Sequence, residues 1–404
     1  MSILKGNLLY GQSGGPTSVI NATAYGVINE AKKHPEIGSI YCMINGIVGA
    51  IKDNVVCMDQ YSEEQLELLK QTPGAAFKSA RYKLADYHKD DTDYMKILNT
   101  LKKYDIRYIL FNGGNDSMDT SDKLMHFLDT VDYECRILGL PKTIDNDLVY
   151  TDHCPGFGSA AKFVANTMTQ IATDLEAYPT GKVTVVEIMG RNAGWLTAAS
   201  CIACLAGCGP DLIYLPEIPF SIGKFKRDVA RVYEKNKRCL VAVSEGIRDA
   251  DGIVYGESPA AKDAFGHAQL GGVATMLANV IKTDLGYPSR GIEFNVMQRA
   301  STNLLSKTDL EESVTIGRIG VQWILEGKTR LMVCMKREEG PEYKISHFGQ
   351  ALPDIANGEQ LIPRNWINAD GNGVTQEFFD YVRPLILGEV FPSYKNGVIE
   401  MFRL

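Results

Sequence analysis

Arg136-Ile137-Leu138-Gly139-Leu140, continuing as Pro141-Lys142-Thr143-Ile144-Asp145-Asn146-Asp147, carries a short apolar run straight into an ammonium and two carboxylates. The run reads as a buried strand and the charged residues as a loop at its carboxyl end, where α/β folds place their chemistry. With an extended backbone, Asp145 and Asp147 project from one side and Asn146 from the other. A general base and a carboxylate for a metal or a hydroxyl would then face one cleft, with Lys142 neutralising charge beside them. A bare Asp-x-Asp serves a solvated loop or a helix N-cap equally well, so the surrounding chain has to decide.

Working outward, similar apolar, β-branched runs recur at residues 6–10, 39–43, 106–111, 182–188, 212–215, 238–243 and 331–335. Amphipathic segments separate them, two with capping-box signatures: Ser62-Glu63-Glu64-Gln65 and Thr308-Asp309-Leu310-Glu311. A long helical pattern covers residues 159–178. Strand and helix alternating in this way predict an α/β protein with open, mostly parallel, doubly wound sheets. A turn-rich stretch, Val149 to Gly158, suggests a domain boundary near residue 150. After Ser346 the chain becomes richer in Pro, Gly and Asn and less periodic, as in an appended extension.

The 404 residues, 45% hydrophobic, have room for two cores. A net charge of -7 argues against general affinity for nucleic acid or acidic membranes, so an anionic ligand must be met by a local cation cluster. The first residues lack a leader-like pattern and the most apolar stretch, 195–206, is shorter than the ~20 residues of a membrane span. The expectation is an unprocessed, cytoplasmic protein. Nine scattered cysteines fit reduced thiols rather than a disulfide framework. Cys201, Cys204 and Cys208 have a spacing that hints at metal ligation, but their small apolar neighbours favour a tightly packed buried helix.

Three predicted strand ends are glycine-rich. Gly11-Gln12-Ser13-Gly14-Gly15-Pro16-Thr17-Ser18 offers backbone N–H groups to a phosphate, although it matches neither the dinucleotide fingerprint nor the P-loop. Phe111-Asn112-Gly113-Gly114-Asn115-Asp116-Ser117 lets a ligand approach the backbone and gives oxygens to a hard cation such as Mg²⁺, or else forms an Asx-turn cap. Met189-Gly190-Arg191 is followed by Ser244-Glu245-Gly246 and Gly286 to Gly291. Arg191, Arg290 and Arg299 are guanidinium donors suited to phosphate, clustered at predicted strand ends.

These motifs, in this order over residues 6–335, resemble the phosphofructokinase family. The resemblance implies two similar doubly wound domains and a C-terminal extension: residues 1–150 with about 297–345 for the phosphoryl donor, 151–296 for the sugar phosphate, and 346–404 packed on both. It implies that Asp145 is the base for the sugar's 1-hydroxyl, that Thr143 and Asp147 hold the donor–acceptor junction with Ile144 among the substrate-binding residues, and that Asp147, with Asn115, also serves Mg²⁺. Gly14, Gly15 and Arg81 match donor-phosphate positions. Met189, Gly190, Arg191 and Glu245 fall at the sugar, and Tyr287, Arg290 and Arg299 at its 6-phosphate. Lys182 stands where a family arginine reaches into a neighbouring subunit, which implies a homodimer or homotetramer.

Asp116 and Lys142 stand where ATP-using members have glycine and pyrophosphate-using members have Asp and Lys. A carboxylate there repels a nucleotide's α-phosphate, while an ammonium stabilises a leaving phosphate that has no adenosine. The resemblance is therefore to the pyrophosphate-using branch, with transfer to fructose 6-phosphate expected. Alternatives are another ketose phosphate such as sedoheptulose 7-phosphate, ATP as donor, and a catalytically silent sugar-phosphate-binding subunit, whose mark would be loss of Asp145. NAD and lipid kinases share only the glycine pair. Asn115 replaces an aspartate of many relatives, Val296 a histidine, and Pro16 an acidic residue.

Overall fold

In the computed structural model, which describes residues 4–256, 258–262, 268–269, 271–356 and 358–404, all eight apolar runs are strands. Numbered with three further strands, they are β1 (Gly6–Gln12), β2 (Ile37–Met43), β3 (Val55–Cys57), β4 (Ile106–Gly113), β5 (Arg136–Pro141), β6 (Val183–Ile188), β7 (Leu212–Tyr214), β8 (Cys239–Ser244), β9 (Ser289–Glu293), β10 (Leu331–Arg337) and β11 (Ile345–Ala351). The principal helices are α1 (Ile20–Ala31), α2 (Thr92–Lys103), α3 (Asn115–Thr130), α4 (Phe157–Glu176), α5 (Ile222–Asn236), α6 (Lys307–Leu325) and α7 (Gln376–Val382).

The strands build two sheets. One has seven strands in the order β11-β10-β5-β4-β1-β2-β3, parallel except for its edge strands β3 and β11. The other has four parallel strands in the order β9-β6-β8-β7. Both faces of each sheet are covered, which is why the strands read as continuous apolar runs rather than as alternating patterns. In the larger sheet Leu8, Tyr10, Leu110 and Leu138 face α1 and α6, while Leu9, Ile109, Phe111 and Ile137 face α2 and α3. In the smaller sheet Val186, Ile188, Leu240 and Ala242 pack on α4, and Val185, Val241 and Val243 on α5.

Helices α1 and α6 touch backbone to backbone. A Cβ at Gly26 would lie 2.2 Å from the Val314 carbonyl oxygen and one at Gly317 would lie 2.3 Å from that of Thr23, so neither position tolerates a side chain. This crossing joins the first helix of the chain to one some 290 residues later.

Three local expectations need correction. The N-cap of α6 is Ser306, not Thr308: its hydroxyl accepts the Asp309 N–H, while Glu311 pairs with Lys307. Asp309 is buried and accepts the Gly156 and Ser159 N–H groups, both at 2.9 Å, so it closes the start of α4, which begins at Phe157. The cysteine segment is a short α-helix, Trp195–Ala198, running into a 3-10 helix, Ala199–Ala206. Cys201 is buried but Cys204 is exposed as the segment runs out to the surface, so it is not one packed face.

Residues beyond 351 run over both sheets. Ile362, Ile367, Phe378 and Tyr381 join the core under the smaller sheet, and Phe402 packs on Phe77 and Tyr61 beside the larger one. Among the described residues no helix is long and apolar enough to cross a membrane.

Candidate active site

From β1 the chain moves to β2 on one side and later to β4 on the other, which leaves a crevice at the carboxyl ends of β1 and β4. Gln12 lies opposite Asn112 across that pair, so the Ser13-Gly14-Gly15 and Gly113-Gly114 loops leave the sheet side by side. Gly113 lies opposite Pro141, and the Lys142 N–H donates to the Gly113 carbonyl at 3.1 Å, which sets the 142–147 loop against them. In the smaller sheet Ile188 lies opposite Ser244, so Met189-Gly190-Arg191 meets Glu245; the Gly190 N–H is 3.4 Å from Glu245 Oε1. A Cβ at Gly246 would fall 1.7 Å from the Arg191 carbonyl oxygen, so this contact requires glycine.

The two sets of strand ends enclose one cleft of about 480 Å³, within the range typical of small-molecule sites. Gly14, Gly15, Arg81, Asn115, Asp116, Lys142, Thr143, Ile144, Asp145, Asp147, Met189, Arg191, Glu245 and Arg299 all line it. Its wall also includes Pro16, the proline that stands in place of an acidic residue, and Ser13, Asn192, Ala193 and Glu359, to which the sequence assigned no individual role. Glu359 comes from the extension, where no periodicity or motif marks it. Gly190, Lys182, Tyr287 and Arg290 are absent from the wall; Gly190 lies behind it, its N–H toward Glu245 and its carbonyl accepting the Ser244 hydroxyl.

The 145–147 loop is not extended, contrary to expectation. Asn146 has φ 57°, a left-handed conformation that asparagine accepts more readily than most residues. Asp145 and Asp147 both reach the cleft nonetheless, and Asn146 is fully buried on the other side. The Asp145 N–H donates to Thr143 Oγ1 at 3.1 Å, tying the bend to its own strand end. The Asx-cap alternative at 115–117 is not realised, because α3 begins at Asn115 behind Gly114 with no side-chain cap.

Electrostatically the cleft is a confined mixture of both signs. Lys142 is 4% exposed and donates to the Gly15 carbonyl at 2.8 Å; burial pushes its ammonium down to about 8 against the pull of Asp145 and Asp147. Burial pushes Asp145 above the usual carboxylate range, opposed by Lys142 and Arg299. Asp147 is raised to about 7 by burial and then by the charges of Asp145 and Glu359, and Glu245 to about 7 by burial and by Asp145. Arg299 is depressed by burial and by Arg81. Its Nη1 lies 2.9 Å from where a Gly15 Cβ would be, so it stands against the first glycine loop in the cleft between the two sheets. Burial disfavours the ionised carboxylates and the cations alike, a strain that ligands of opposite charge relieve, as expected of a site for anions and a metal.

The residues fit a divalent cation. Asn115 Oδ1 is buried without a hydrogen-bond partner while its amide donates to the Gly358 carbonyl at 3.0 Å, and Asp147 carries excess negative surroundings. Among the described residues no three His, Cys, Asp or Glu side chains converge to hold a metal unaided. That suits a hard divalent cation taking one or two protein oxygens and filling its shell with phosphate and water.

Arg290 is not at the carboxyl end of a strand, contrary to expectation. It is the second residue of β9, opposite Thr184, with its guanidinium on Thr184 Oγ1 at 3.3 Å and Asp174 at 3.2 Å. The Ser289–Glu293 strand is a partly exposed edge without an apolar run, which hid it from the sequence pattern. Tyr287 stacks on Tyr233, ring centroids 4.2 Å apart, and donates to Glu234. Lys182 is exposed immediately before β6. All three sit at the amino end of the smaller sheet, about 20 Å from the cleft by the rise of a six-residue strand.

The phosphofructokinase family matches residues 7–302. The pyrophosphate–fructose 6-phosphate 1-phosphotransferases of Halomonas elongata and Xanthomonas campestris are 40% and 42% identical to this chain, over 98% and 96% of its length and 96% and 93% of theirs. Crystal structures of pyrophosphate-dependent phosphofructokinases from Marinobacter aquaeolei and Nitrosospira multiformis superpose with TM-scores of 0.88 and 0.89 at 36% and 37% identity, each covering 98% of this chain and 96% of the other. The chain belongs to the phosphofructokinase family. These four relatives, matched over nearly the whole length, are all named for the use of pyrophosphate.

Proposed function

We propose that this protein transfers a phosphoryl group from pyrophosphate to the 1-hydroxyl of fructose 6-phosphate, giving fructose 1,6-bisphosphate and phosphate, reversibly. The observation that carries this reading is the joint presence of Asp116 and buried Lys142 in the wall of the cleft that also holds Asp145. Asp145 takes the hydroxyl proton as the oxygen attacks the phosphoryl group. Lys142 meets charge on the leaving phosphate, and Gly14, Gly15 and Arg81 cradle the donor. Asp116 repels the α-phosphate of a nucleotide. Met189, Gly190, Arg191 and Glu245 receive the sugar, Thr143 and Ile144 border the junction, and Arg299, between the two halves, is the 6-phosphate arginine that the family resemblance implies.

Mg²⁺ would be held by Asp147 and Asn115, and when bound it neutralises charge on the transferring phosphate oxygens. The segment 1–150 with about 297–345 serves the donor and 151–296 the sugar, with 346–404 spanning both. Lys182 and Arg290, remote from their own cleft, support an assembly of two or four copies in which they serve a neighbour's 6-phosphate. Nine free thiols are in keeping with work in the cytoplasm. The test is purified protein with fructose 6-phosphate and Mg²⁺, offered pyrophosphate or ATP in turn. Turnover only with pyrophosphate supports the reading, and equal rates with ATP overturn it.

A further inference from the structure

We infer that Tyr381, on helix α7 of the C-terminal extension, is a positioning residue for the 145–147 loop, acting through Asn146. The inference rests on the phosphotransfer reading and assigns the extension a part in it.

Tyr381 Oη accepts the Asn146 amide at 2.7 Å and donates to the Asp152 carbonyl at 2.8 Å, so both functions of a buried hydroxyl are used. Asn146 is fully buried, and its Oδ1 accepts the Cys154 N–H at 2.8 Å. The side chain is therefore fixed at both ends, and its left-handed backbone separates Asp145 from Asp147. A rotation of the Asn146 peptide moves the base and the metal carboxylate together, because the planar units on either side of its Cα carry them.

The anchor is rigid. The Tyr381 ring packs on Trp195, Trp366 and Phe157, and the Arg337 guanidinium lies 4.8 Å over it. Arg337 also donates to the Tyr381 carbonyl at 3.0 Å and to Asp152 at 3.0 Å. The extension reaches the loop a second time, where the Gln360 N–H donates to the Asp147 carbonyl at 2.8 Å. Removing the Tyr381 oxygen leaves the ring's packing in place but strips the tether from the loop, and reacting groups held loosely lose rate rather than binding.

The test uses the full chain and three variants, Tyr381→Phe, Asn146→Ala and their double, with Phe378→Leu as a control. Phe378 is buried on the same helix in the same aromatic cluster but has no bond to the loop. Rates are read well below every melting temperature, with pyrophosphate and fructose 6-phosphate as substrates. Tyr381→Phe is expected to lose about tenfold in kcat, with both KM values held within about twofold, while Phe378→Leu lowers Tm at least as far and keeps kcat. The double variant is expected to be no slower than Asn146→Ala, since the two act through one bond. An active wild type with Tyr381→Phe at wild-type kcat, or with Phe378→Leu equally slowed, overturns this inference alone. A wild type inactive with pyrophosphate overturns the functional reading and this inference with it.

Discussion

Lys142→Met replaces the buried ammonium by a chain of similar length and isolates its charge. The Nζ abuts the glycine loop, 3.1 Å from where a Gly14 Cβ would be and 2.8 Å from the Gly15 carbonyl oxygen, so a phosphate on that loop lies within direct reach. At about 4 Å and an effective dielectric near 20, two unit charges interact by ~4 kcal/mol. A leaving phosphate that develops roughly half a charge in the transition state is then stabilised by ~2 kcal/mol, or about 30-fold in rate. Removing a preorganised donor from comparable sites costs ~10²–10³-fold, so the expected loss in kcat lies between about 30- and 300-fold. The assay is steady-state formation of fructose 1,6-bisphosphate at saturating substrates, with melting temperature as a check on folding. The pH dependence supplies a second readout. An ammonium pushed down to about 8 loses its charge above that pH, so wild-type kcat/KM for pyrophosphate falls on the alkaline side near 8. Lys142→Arg moves that limb to higher pH, and Lys142→Met abolishes it. A folded Lys142→Met enzyme within threefold of wild-type kcat would refute the electrostatic argument.

Asp145→Asn is expected to lower kcat by at least ~10²-fold with sugar-phosphate affinity, measured by calorimetry, within a few-fold; near wild-type turnover would move the base elsewhere, first to Asp147. Asp116→Gly should relieve repulsion at the nucleotide position and yield measurable ATP-dependent turnover, extended further when combined with Lys142→Gly; a double variant inert to ATP would count against donor selection by these two residues. Lys182→Ala should raise KM for fructose 6-phosphate with little change for pyrophosphate, and mixing it with Asp145→Asn protein should restore activity through hybrid sites; a fully active monomer by sedimentation would exclude a shared site. His153 tests stability. Burial alone would depress it, but Glu312 at 2.7 Å and Asp152 at 2.8 Å outweigh burial and hold it up to about 9. A folded value above the unfolded one contributes stability that is complete below about 6.5 and is lost as pH rises through about 9, here about 3 kcal/mol. Urea midpoints should therefore fall between pH 7 and 9.5 in wild type, and the fall should be smaller in His153→Gln.

What the sequence disclosed and what it concealed divide along physical lines. Buried parallel strands such as Ile106–Gly113 are apolar on both faces and announce themselves, and the loops at their ends inherit a known place from topology. Thus Gly14, Asp116, Asp145, Met189 and Glu245 could be brought to one cleft before any coordinates existed. The edge strand β9 is half-exposed and lacks that signal, unlike the buried edge strand β7, and this hid the true position of Arg290. Glu359 and Tyr381 were invisible for a different reason. Each acts on a loop more than 200 residues away in sequence, through a contact that no local period records. The bend at Asn146 was equally hidden, since the preference of asparagine for left-handed backbone is weak until burial and two hydrogen bonds fix it.

The close crossing of α1 and α6 bears on how the chain is made. Helix α1 is complete by residue 31, yet the surface that receives Gly26 is not synthesised until residues 314–317. The same holds for β5, whose outer edge waits for β10, Leu138 meeting Leu331. A ribosome adding ~5–20 residues per second exposes these apolar faces for tens of seconds before their partners emerge. The four parallel strands of the smaller sheet are contiguous in sequence from 183 to 293 and can pair in that interval. The smaller sheet's strands can therefore pair before the last strands of the larger sheet exist, but its core also waits for Ile362, Ile367, Phe378 and Tyr381 of the extension. Substitutions at Gly26 or Gly317 consequently act on the yield of folded chain during synthesis before they act on the finished enzyme.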